Sequence, residues 1–452
     1  MTTPRSSPWR RISNGAPGVG STSASSASPP AAAAPAAPLL IGRYGLDLGV
    51  VISASHNPYR DNGIKFFAAD GFKLSDEDEA AIEARLEELM AGAAARLGRG
   101  AGGEATRSGA RGVAEGGEAT RSGARGADEG GEATPSQAGG VAAGGGARPG
   151  GGRIGRVRAL HGTQEDYLRA LHERFADLDL TGLDVVLDCA HGATYRAAPE
   201  IFRRLGAAVT ALNDAPDGRN INDGCGSTHV EALAAAVVGG GHDVGFAFDG
   251  DGDRVLAVDR NGVVVDGDEL IALATLHLRD LGRLPGDGVA VTVMTNYGFH
   301  AAMREAGVAV ATTAVGDRYV LEALRERGWA LGGEQSGHII DMGFNATGDG
   351  IASALLTLEA LRGGDLAERD AMHKLPQKLV NVPVADRDAA MASPQLAEAG
   401  AREQQALEGR GRVLVRPSGT EQLVRVMVEA PSAEEADAVC ERLVALVSEL
   451  SA

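Results

Sequence analysis

Apolar and polar positions along this chain fall into two recurring textures. Short apolar runs that end in small, polar or glycine-rich turns read as strands, and segments with apolar residues every three or four positions read as helices. The first clear strand is Val50-Val51-Ile52, an apolar run expected to be buried, which stops at Ser53-Ala54-Ser55-His56-Asn57-Pro58. Ser75, with Asp78 three residues later, predicts a capping box, and Ile82, Leu86 and Leu89 continue a helix that fades near Gly92. "IGRVRALHGTQEDYLRALHERF" (154–175) is strand-like and then helical, "DVVLDCAHGA" (184–193) is a strand entering a glycine turn, and "APEIFRRLGA" is a helix. "DVGFAFDGDGDRVLAVD" (243–259) reads as two strands around an acidic loop. "VAVTVMTN" (289–296), "GFHAAMREAG" and "VAVATTAVGDR" read as strand, helix and strand. This alternation predicts α/β domains with largely parallel sheets. From about 377 onward, "GRVLVRPSGTEQLVRVMVEA" and the helix "SAEEADAVCERLVALVSEL" indicate a small α+β domain.

Two stretches carry neither texture. Residues 1–38 are rich in Ser, Ala and Pro and are expected to be a disordered tail. Between 97 and 153 the composition collapses to Gly, Ala, Arg, Glu and Ser, and "GGEATRSGARGVAE" (102–115) recurs as "GGEATRSGARGADE" (116–129). With no apolar stripe to bury, the repeat cannot offset the entropy of ordering, so a disordered insertion is expected.

Composition narrows the choice of function. The 452 residues are too many for one core, and roughly two to four domains is the expectation. A formal charge of −18 argues against a nucleic-acid partner, because phosphate backbones demand Lys/Arg patches. Cys189, Cys225 and Cys440 are widely spaced and form no CxxC pair, which suggests neither a disulfide framework nor a zinc site and fits a cytoplasmic protein. No apolar run approaches the roughly 20 residues that span a bilayer, so no membrane partner is expected. Arg5, Arg10 and Arg11 ahead of a Ser-rich stretch leave a transit peptide as the lesser reading.

The chemistry concentrates in four motifs. Ser55 ends a strand beside His56, where it could be a nucleophile, a phosphate carrier or a turn residue. In "FDGDGDR", Asp249, Asp251 and Asp253 alternate with glycines, and three crowded carboxylates call for a cation, with an all-oxygen set suiting Mg²⁺. An EF-hand fails here because Arg254 and Arg260 stand where Gly and Glu are needed. In "GGEQSGHII", Glu334, Ser336 and His338 alternate and could point into one cleft, a donor and acceptor set suited to sugar hydroxyls. "AVGDRYV", with Asp317 and Arg318, is a second polar interruption of the same kind. In "RPSGTEQLVR", Arg416 and Arg425 frame Ser418, Gly419 and Thr420, groups that suit a phosphate better than a plain hairpin turn. Lys65, ten positions after Ser55, could act as general base or charge stabiliser. Together these point to phosphoryl transfer on a phosphosugar.

"ISASHNPYRDNGIKFF", "DCAHGATY", "NINDGCGSTH", "DGDGDRVLAVD", "GEQSGHII", "TGDGI" and "RPSGTEQLVRVMVE" resemble, in order, the signatures of the α-D-phosphohexomutase family. The Gln335 form of "GEQSGH" is similar to the branch acting on glucosamine phosphates, where relatives acting on mannose and glucose phosphates usually carry Met. The resemblance implies an α/β multi-domain architecture, three mixed α/β domains around a cleft plus a small C-terminal α+β domain. The expected bounds are 39–160 for a truncated phosphoserine domain carrying the insertion, 161–262 for a Mg²⁺-binding domain, 263–376 for a sugar-binding domain and 377–452 for a phosphate-binding domain. The family normally has an opening strand and a longer stretch before its serine, so a shortened first domain with an exposed sheet edge and apolar face is expected.

By the same resemblance Ser55 is the phosphoserine, Lys65 and His338 match positions implicated in proton transfer, and His56 is an alternative for that role or for orienting the loop. Asp249, Asp251 and Asp253 would hold Mg²⁺ with a phosphoserine oxygen, with Arg254 beside them. Glu334 and Ser336 would contact sugar hydroxyls, with Asp317 and Arg318 nearby, and Arg416, Ser418, Gly419, Thr420 and Arg425 would bind phosphate. A hexosamine or hexose 1,6-bisphosphate is the implied activator, and the implied partners are a phosphosugar and at most a second copy of the chain. Competing expectations are action on mannose or glucose phosphates, a shortened copy that binds phosphosugar without turnover, and a phosphatase using Asp249 as nucleophile.

Overall fold

The computed structural model describes residues 33–100, 159–418 and 421–450. They divide into two compact units: one runs to Leu74 and resumes at Gly162, and the other is Ser75–His161. The bulk of the expected insertion lies outside the described residues, as does most of the expected tail.

The first unit opens with α1 (Ala36–Tyr44), followed by β1 (Leu48–Ser53) and its antiparallel partner β2 (Gly63–Ala68). Folded structure was expected from Leu39, but the helix starts at Ala36, and Ala33, Ala34 and Ala36 are buried. Alanine is the best helix former, and Pro35 and Pro38 fall where a first turn needs no donor, so a low-complexity composition still folds here. The expected burial of Val50-Val51-Ile52 fails on one side. Val51 faces inward, whereas Val50 is 51% and Ile52 73% exposed, beside exposed Leu48 and Ile64. Ile41 of α1 lies against Gly49, so α1 covers one face of the hairpin and the alternation of β1 puts the other aliphatic row outside.

The second unit contains α2 (Asp76–Gly100), which continues past the fading expected near Gly92. Its N-terminus is the expected capping pair, with the Asp78 amide donating to Ser75 Oγ at 3.2 Å and that hydroxyl donating to Asp78 Oδ2 at 2.7 Å.

From residue 163 the first unit builds α3 (Thr163–Arg174), β3 (Asp184–Asp188), α4 (Ala197–Arg204), β4 (Ala208–Leu212), α5 (Glu231–Gly240), β5 (Val244–Phe248), β6 (Val255–Asp259) and β7 (Val264–Val265). The strands make one sheet in the order β4-β3-β5-β6-β7, with β3 parallel to β4 and β5, and β6 antiparallel to β5. Every residue of β5 is buried, as its unbroken apolar sequence requires of a central strand. Next come α6 (Gly267–Asp280), β8 (Gly288–Thr292), α7 (Tyr297–Glu305), β9 (Ala309–Thr313), α8 (Asp317–Arg327), β10 (Leu331–Gly333), β11 (Ile339–Asp341) and α9 (Gly350–Leu361). These strands order as β11-β10-β8-β9, parallel except for β10 with β11. Both sheets are therefore mixed, because short hairpins (β5–β6 and β10–β11) are inserted where the metal-type and sugar-type loops sit.

The C-terminal part comprises β12 (Gln377–Pro383), α10 (Arg387–Met391), α11 (Pro394–Ala406), β13 (Arg412–Pro417), β14 (Leu423–Glu429) and α12 (Ala433–Glu449). Its antiparallel sheet runs β12-β14-β13 over a separate apolar core that includes Val424, Val426, Val428, Val439 and Leu443. The larger core spans the two mixed sheets.

Candidate active site

Ser55 follows β1 in a left-handed conformation, φ 50°, unusual for a residue with a side chain, and is only 2% exposed. Its surroundings over-determine this strain. The Ser55 amide donates to Ser53 Oγ at 2.9 Å, and the Ser55 carbonyl accepts from Gly250 N at 3.1 Å and Asn222 Nδ2 at 2.7 Å. Asn222 Nδ2 also reaches the Asn57 carbonyl at 2.8 Å, so one amide clamps both sides of the serine turn. A Cβ on Gly250 would sit 2.5 Å from the Ser55 carbonyl oxygen, so only glycine lets the acidic loop come this close. The Ser55 hydroxyl is left with Asp249 Oδ2 and His56 Nδ1, each at 3.3 Å.

The acidic loop joins β5 to β6. Carboxylate oxygens of Asp249, Asp251 and Asp253 all lie within 4.8 Å of one another. Lys65, carried in by β2, donates to Asp251 Oδ2 at 2.7 Å and Asp253 Oδ2 at 2.6 Å. Burial disfavours charge on Lys65, yet Asp251 and Asp253 outweigh it and hold the ammonium above its usual pKa. Burial likewise opposes charge on Asp253, and Lys65 and then His338 overcome it, keeping this carboxyl well below its usual range. Asp249 lacks such a partner; burial and then the Asp253 and Asp251 charges push it well up. The Oδ1 atoms of Asp251 and Asp253 are buried without hydrogen-bond partners among the described residues. Orphaned, converging, all-oxygen donors of this kind fit a hard divalent cation such as Mg²⁺.

His338 closes the site from β10–β11. The Gly348 amide donates to His338 Nε2 at 3.1 Å, and Nδ1 lies 3.6 Å from Asp253 Oδ1. On the Nε2 side lies Asp317 Oδ2 at 3.5 Å, itself paired with Lys73. Burial opposes the Asp317 charge, but Lys73 and His338 hold its carboxyl well below the usual range. Glu334 Oε1 accepts from Gly316 N at 3.0 Å, which ties the sugar-type loop to the start of α8. Arg318 stacks 4.7 Å from the centre of the Tyr319 ring and donates to its hydroxyl. Glu334, Ser336 and His338 all come from the loop between β10 and β11. They occupy a tight turn in which Gly337 N donates to the Glu334 carbonyl, so His338 is buried while Ser336 is exposed.

Burial also opposes the charge on Arg254, but Asp253 and then Asp249 hold it above its usual pKa; its buried Nε has no hydrogen-bond partner among the described residues. His56 is pushed down by burial and then by Arg254. The site is therefore an unbroken chain of contacts from Ser55 through Asp249, Asp251, Lys65, Asp253 and His338 to Asp317 and Lys73.

The C-terminal motif stands apart. β13 and β14 place Arg416 opposite Arg425. Burial and then the Arg425 charge push the Arg416 pKa down, and the buried Nε of Arg425 has no partner among the described residues. Ser418 is buried, with its carbonyl accepting from Arg387 Nη1 at 2.5 Å and its amide bonded to the Leu423 carbonyl at 3.0 Å. Gly419 and Thr420 lie outside the described residues. Two guanidiniums side by side, without a carboxylate partner among the described residues, are a donor set of the kind that suits an anion. Asn222, Lys73 and Arg387 were not anticipated; Asn222 sits in the quoted "NINDGCGSTH", while single basic residues such as the other two carry no local signal.

A buried serine packed against an acidic loop, within mixed α/β sheets, fits a multi-domain α/β phosphotransferase. Four profiles of one family match in order: phosphoglucomutase/phosphomannomutase alpha/beta/alpha domain I over 17–92, domain II over 165–262, domain III over 266–381 and the C-terminal domain over 379–446. The chain belongs to the phosphoglucomutase/phosphomannomutase family. It is 47% identical over 409 residues to the phosphoglucosamine mutase of Desulforudis audaxviator, an overlap of 89% of this chain and 78% of that protein. The fold is similar to a crystal structure of a phosphoglucomutase/phosphomannomutase family protein from Burkholderia thailandensis, with TM-score 0.65, 21% identity and coverage of 90% and 77% of the two chains. It is also similar to Aspergillus fumigatus N-acetylphosphoglucosamine mutase in complex with GlcNAc-6P and magnesium, with TM-score 0.55, 23% identity and coverage of 63% and 70%.

Proposed function

We propose that this chain interconverts glucosamine 6-phosphate and glucosamine 1-phosphate, with Ser55 as the phosphoryl carrier, as a step toward amino-sugar precursors of the cell wall. The observation that carries this is the strained, buried Ser55, whose hydroxyl meets Asp249 at 3.3 Å while its carbonyl is clamped by Asn222 and Gly250. The similarity to the Desulforudis audaxviator phosphoglucosamine mutase supports the choice of sugar.

In this reading phosphorylated Ser55 gives its phosphoryl group to a hydroxyl of the bound monophosphate. The phosphorus–Oγ bond breaks as the bond to the sugar oxygen forms, leaving a 1,6-bisphosphate. After the sugar turns over in the cleft, the other phosphoryl group returns to Ser55 Oγ and the isomeric monophosphate leaves. The proton released by the attacking hydroxyl needs an acceptor within reach. His338, with Nδ1 near Asp253, is the candidate for this proton transfer, whereas Lys65, held as an ammonium between two carboxylates, acts in this reading as a charge stabiliser. Asp249, Asp251 and Asp253 would hold Mg²⁺, which supplies charge neutralisation at the phosphoryl oxygens. Glu334, Ser336, Asp317 and Arg318 serve the sugar hydroxyls, and Arg416, Ser418, Gly419, Thr420 and Arg425 take the phosphate that is not reacting. A hexose or hexosamine 1,6-bisphosphate would load the serine initially. Free, buried Cys189, Cys225 and Cys440 accord with a cytoplasmic setting.

The test is turnover of glucosamine 6-phosphate with Mg²⁺ and a hexose bisphosphate primer, followed as glucosamine 1-phosphate. Product from the unaltered chain and none from Ser55→Ala is expected. Undiminished product from Ser55→Ala would eliminate the phosphoserine route.

A further inference from the structure

The face of the C-terminal sheet that carries the phosphate-type arginines also carries a second charged pair, which no step above uses. β13 and β14 set Arg412 opposite Glu429 and, four residues along, Arg416 opposite Arg425. Residues four apart on a strand point to the same face, about 13 Å from each other. The two pairs therefore sit at opposite ends of one stiff hairpin.

Arg412 reaches out of its own domain. Its Nη1 donates to the Val293 carbonyl at 3.0 Å and its Nη2 to the Thr295 carbonyl at 2.8 Å, while Nε bonds Glu429 Oε2 at 3.1 Å. Glu429 is fully buried and also accepts from the Tyr297 amide at 2.9 Å. Residues 293–297 form the turn between β8 and α7. Asn296, at its centre, bonds both backbone groups of Leu375 at 3.0 Å, just before β12, and its own amide donates to Asp268 Oδ2 at 2.8 Å. One short turn thus grips the hairpin through Arg412 and Glu429 and the connecting chain through Asn296. A buried forked ion pair is a costly way to join two cores, since apolar side chains of similar volume hold as well. What it adds is a fixed orientation, because the guanidinium plane ties two carbonyls and one carboxylate in a single geometry.

We infer that Arg412 and Glu429 are positioning residues: they lock the β13–β14 hairpin on the Val293–Tyr297 turn and so set where Arg416 and Arg425 hold the substrate's non-reacting phosphate relative to Ser55. This inference rests on the phosphate role given to Arg416 and Arg425 above. Loosening the lock swings the far end of the hairpin, and misplacement of about 1 Å at a binding group costs up to roughly a hundredfold in productive binding.

The test measures KM and kcat for glucosamine 6-phosphate, with escape of free bisphosphate per turnover, for Arg412→Ala, Arg412→Lys and Glu429→Gln, with Arg416→Ala alongside. Arg412→Ala is expected to raise KM about tenfold or more, to change kcat by less than about threefold and to increase bisphosphate escape. Arg412→Lys, which keeps the charge without the fork, should fall between. Glu429→Gln keeps the volume and an acceptor for the Tyr297 amide, so it reports on the lock even if Arg412→Ala does not fold, and should raise KM about threefold. A lowered melting temperature with KM and bisphosphate escape unchanged in the folded variants overturns the inference and leaves the pair a structural joint. If Arg416→Ala also leaves KM unchanged, the failure belongs to the phosphate role of the cradle.

Discussion

Two charged centres in this chain are built on opposite plans. Around Ser55 three buried carboxylates crowd together, offset in part by Lys65 and His338 at Asp251 and Asp253 and by two backbone amides at Asp249. In the C-terminal sheet two arginines face each other, and among the described residues neither pairs with a carboxylate and the buried Nε of Arg425 has no partner. The contrast separates two tasks. A group that carries a phosphoryl through repeated transfers must be held rigid in a compensated field. A group that only holds a phosphate while the sugar turns can be left short of negative charge, so that the ligand itself completes it.

Ser55→Ala should break the first plan most severely, lowering turnover by at least roughly a thousandfold with little change in melting temperature, as steady-state assay and calorimetry would check. Replacing Lys65 by Ala removes the internal counter-ion. Leaving two buried carboxylates unpaired should cost about 3 kcal/mol of stability, and millimolar Mg²⁺ should recover more of it than it adds to the unaltered chain. Equal Mg²⁺ responses in thermal melts would refute a shared site for cation and lysine. On the second plan, Arg416→Ala should raise KM for glucosamine 6-phosphate roughly tenfold, about 1.4 kcal/mol, while a sugar lacking phosphate shows no difference.

The smallest effect comes from His300, next to the joint between these regions. Burial, and then Arg412 and Arg304, push its pKa down to about 4, against about 6.5 in the unfolded chain. The unfolded state then binds more protons between those values, so the stability present above pH 6.5 is lost as pH falls toward 4. His300→Gln should flatten that part of the stability–pH curve by on the order of 1 kcal/mol, and an unchanged slope in denaturant titrations would remove His300 as its source.

Much of this layout was legible in the residues. The apolar run of β5 and the Asp-Gly alternation after it gave both the central strand and the loop that gathers three carboxylates. The capping pair of Ser75 and Asp78 formed as spacing predicts. What escaped was tertiary. The alternation of Glu334, Ser336 and His338 does not reveal that Gly337, with φ 88°, bends them into a turn in which His338 is buried near Asp253 and Ser336 is exposed. Val51 is covered and Ile52 is not, since β1's burial depends on what packs against each face and not on its own apolarity. Lys73, Asn222, Arg387 and Arg412 act across long sequence separations, as with Lys73 on Asp317, and no local pattern marks such pairings.

The most direct measurement is the site of phosphorylation. The full chain is loaded with a hexose 1,6-bisphosphate and Mg²⁺, its phosphopeptides are mapped by mass spectrometry, and glucosamine 6-phosphate is then added. Phosphate found on Ser55 and discharged into glucosamine bisphosphate is the predicted result. Turnover of glucosamine 6-phosphate with Ser55 unmodified throughout, or with phosphate on Asp249 instead, would contradict it.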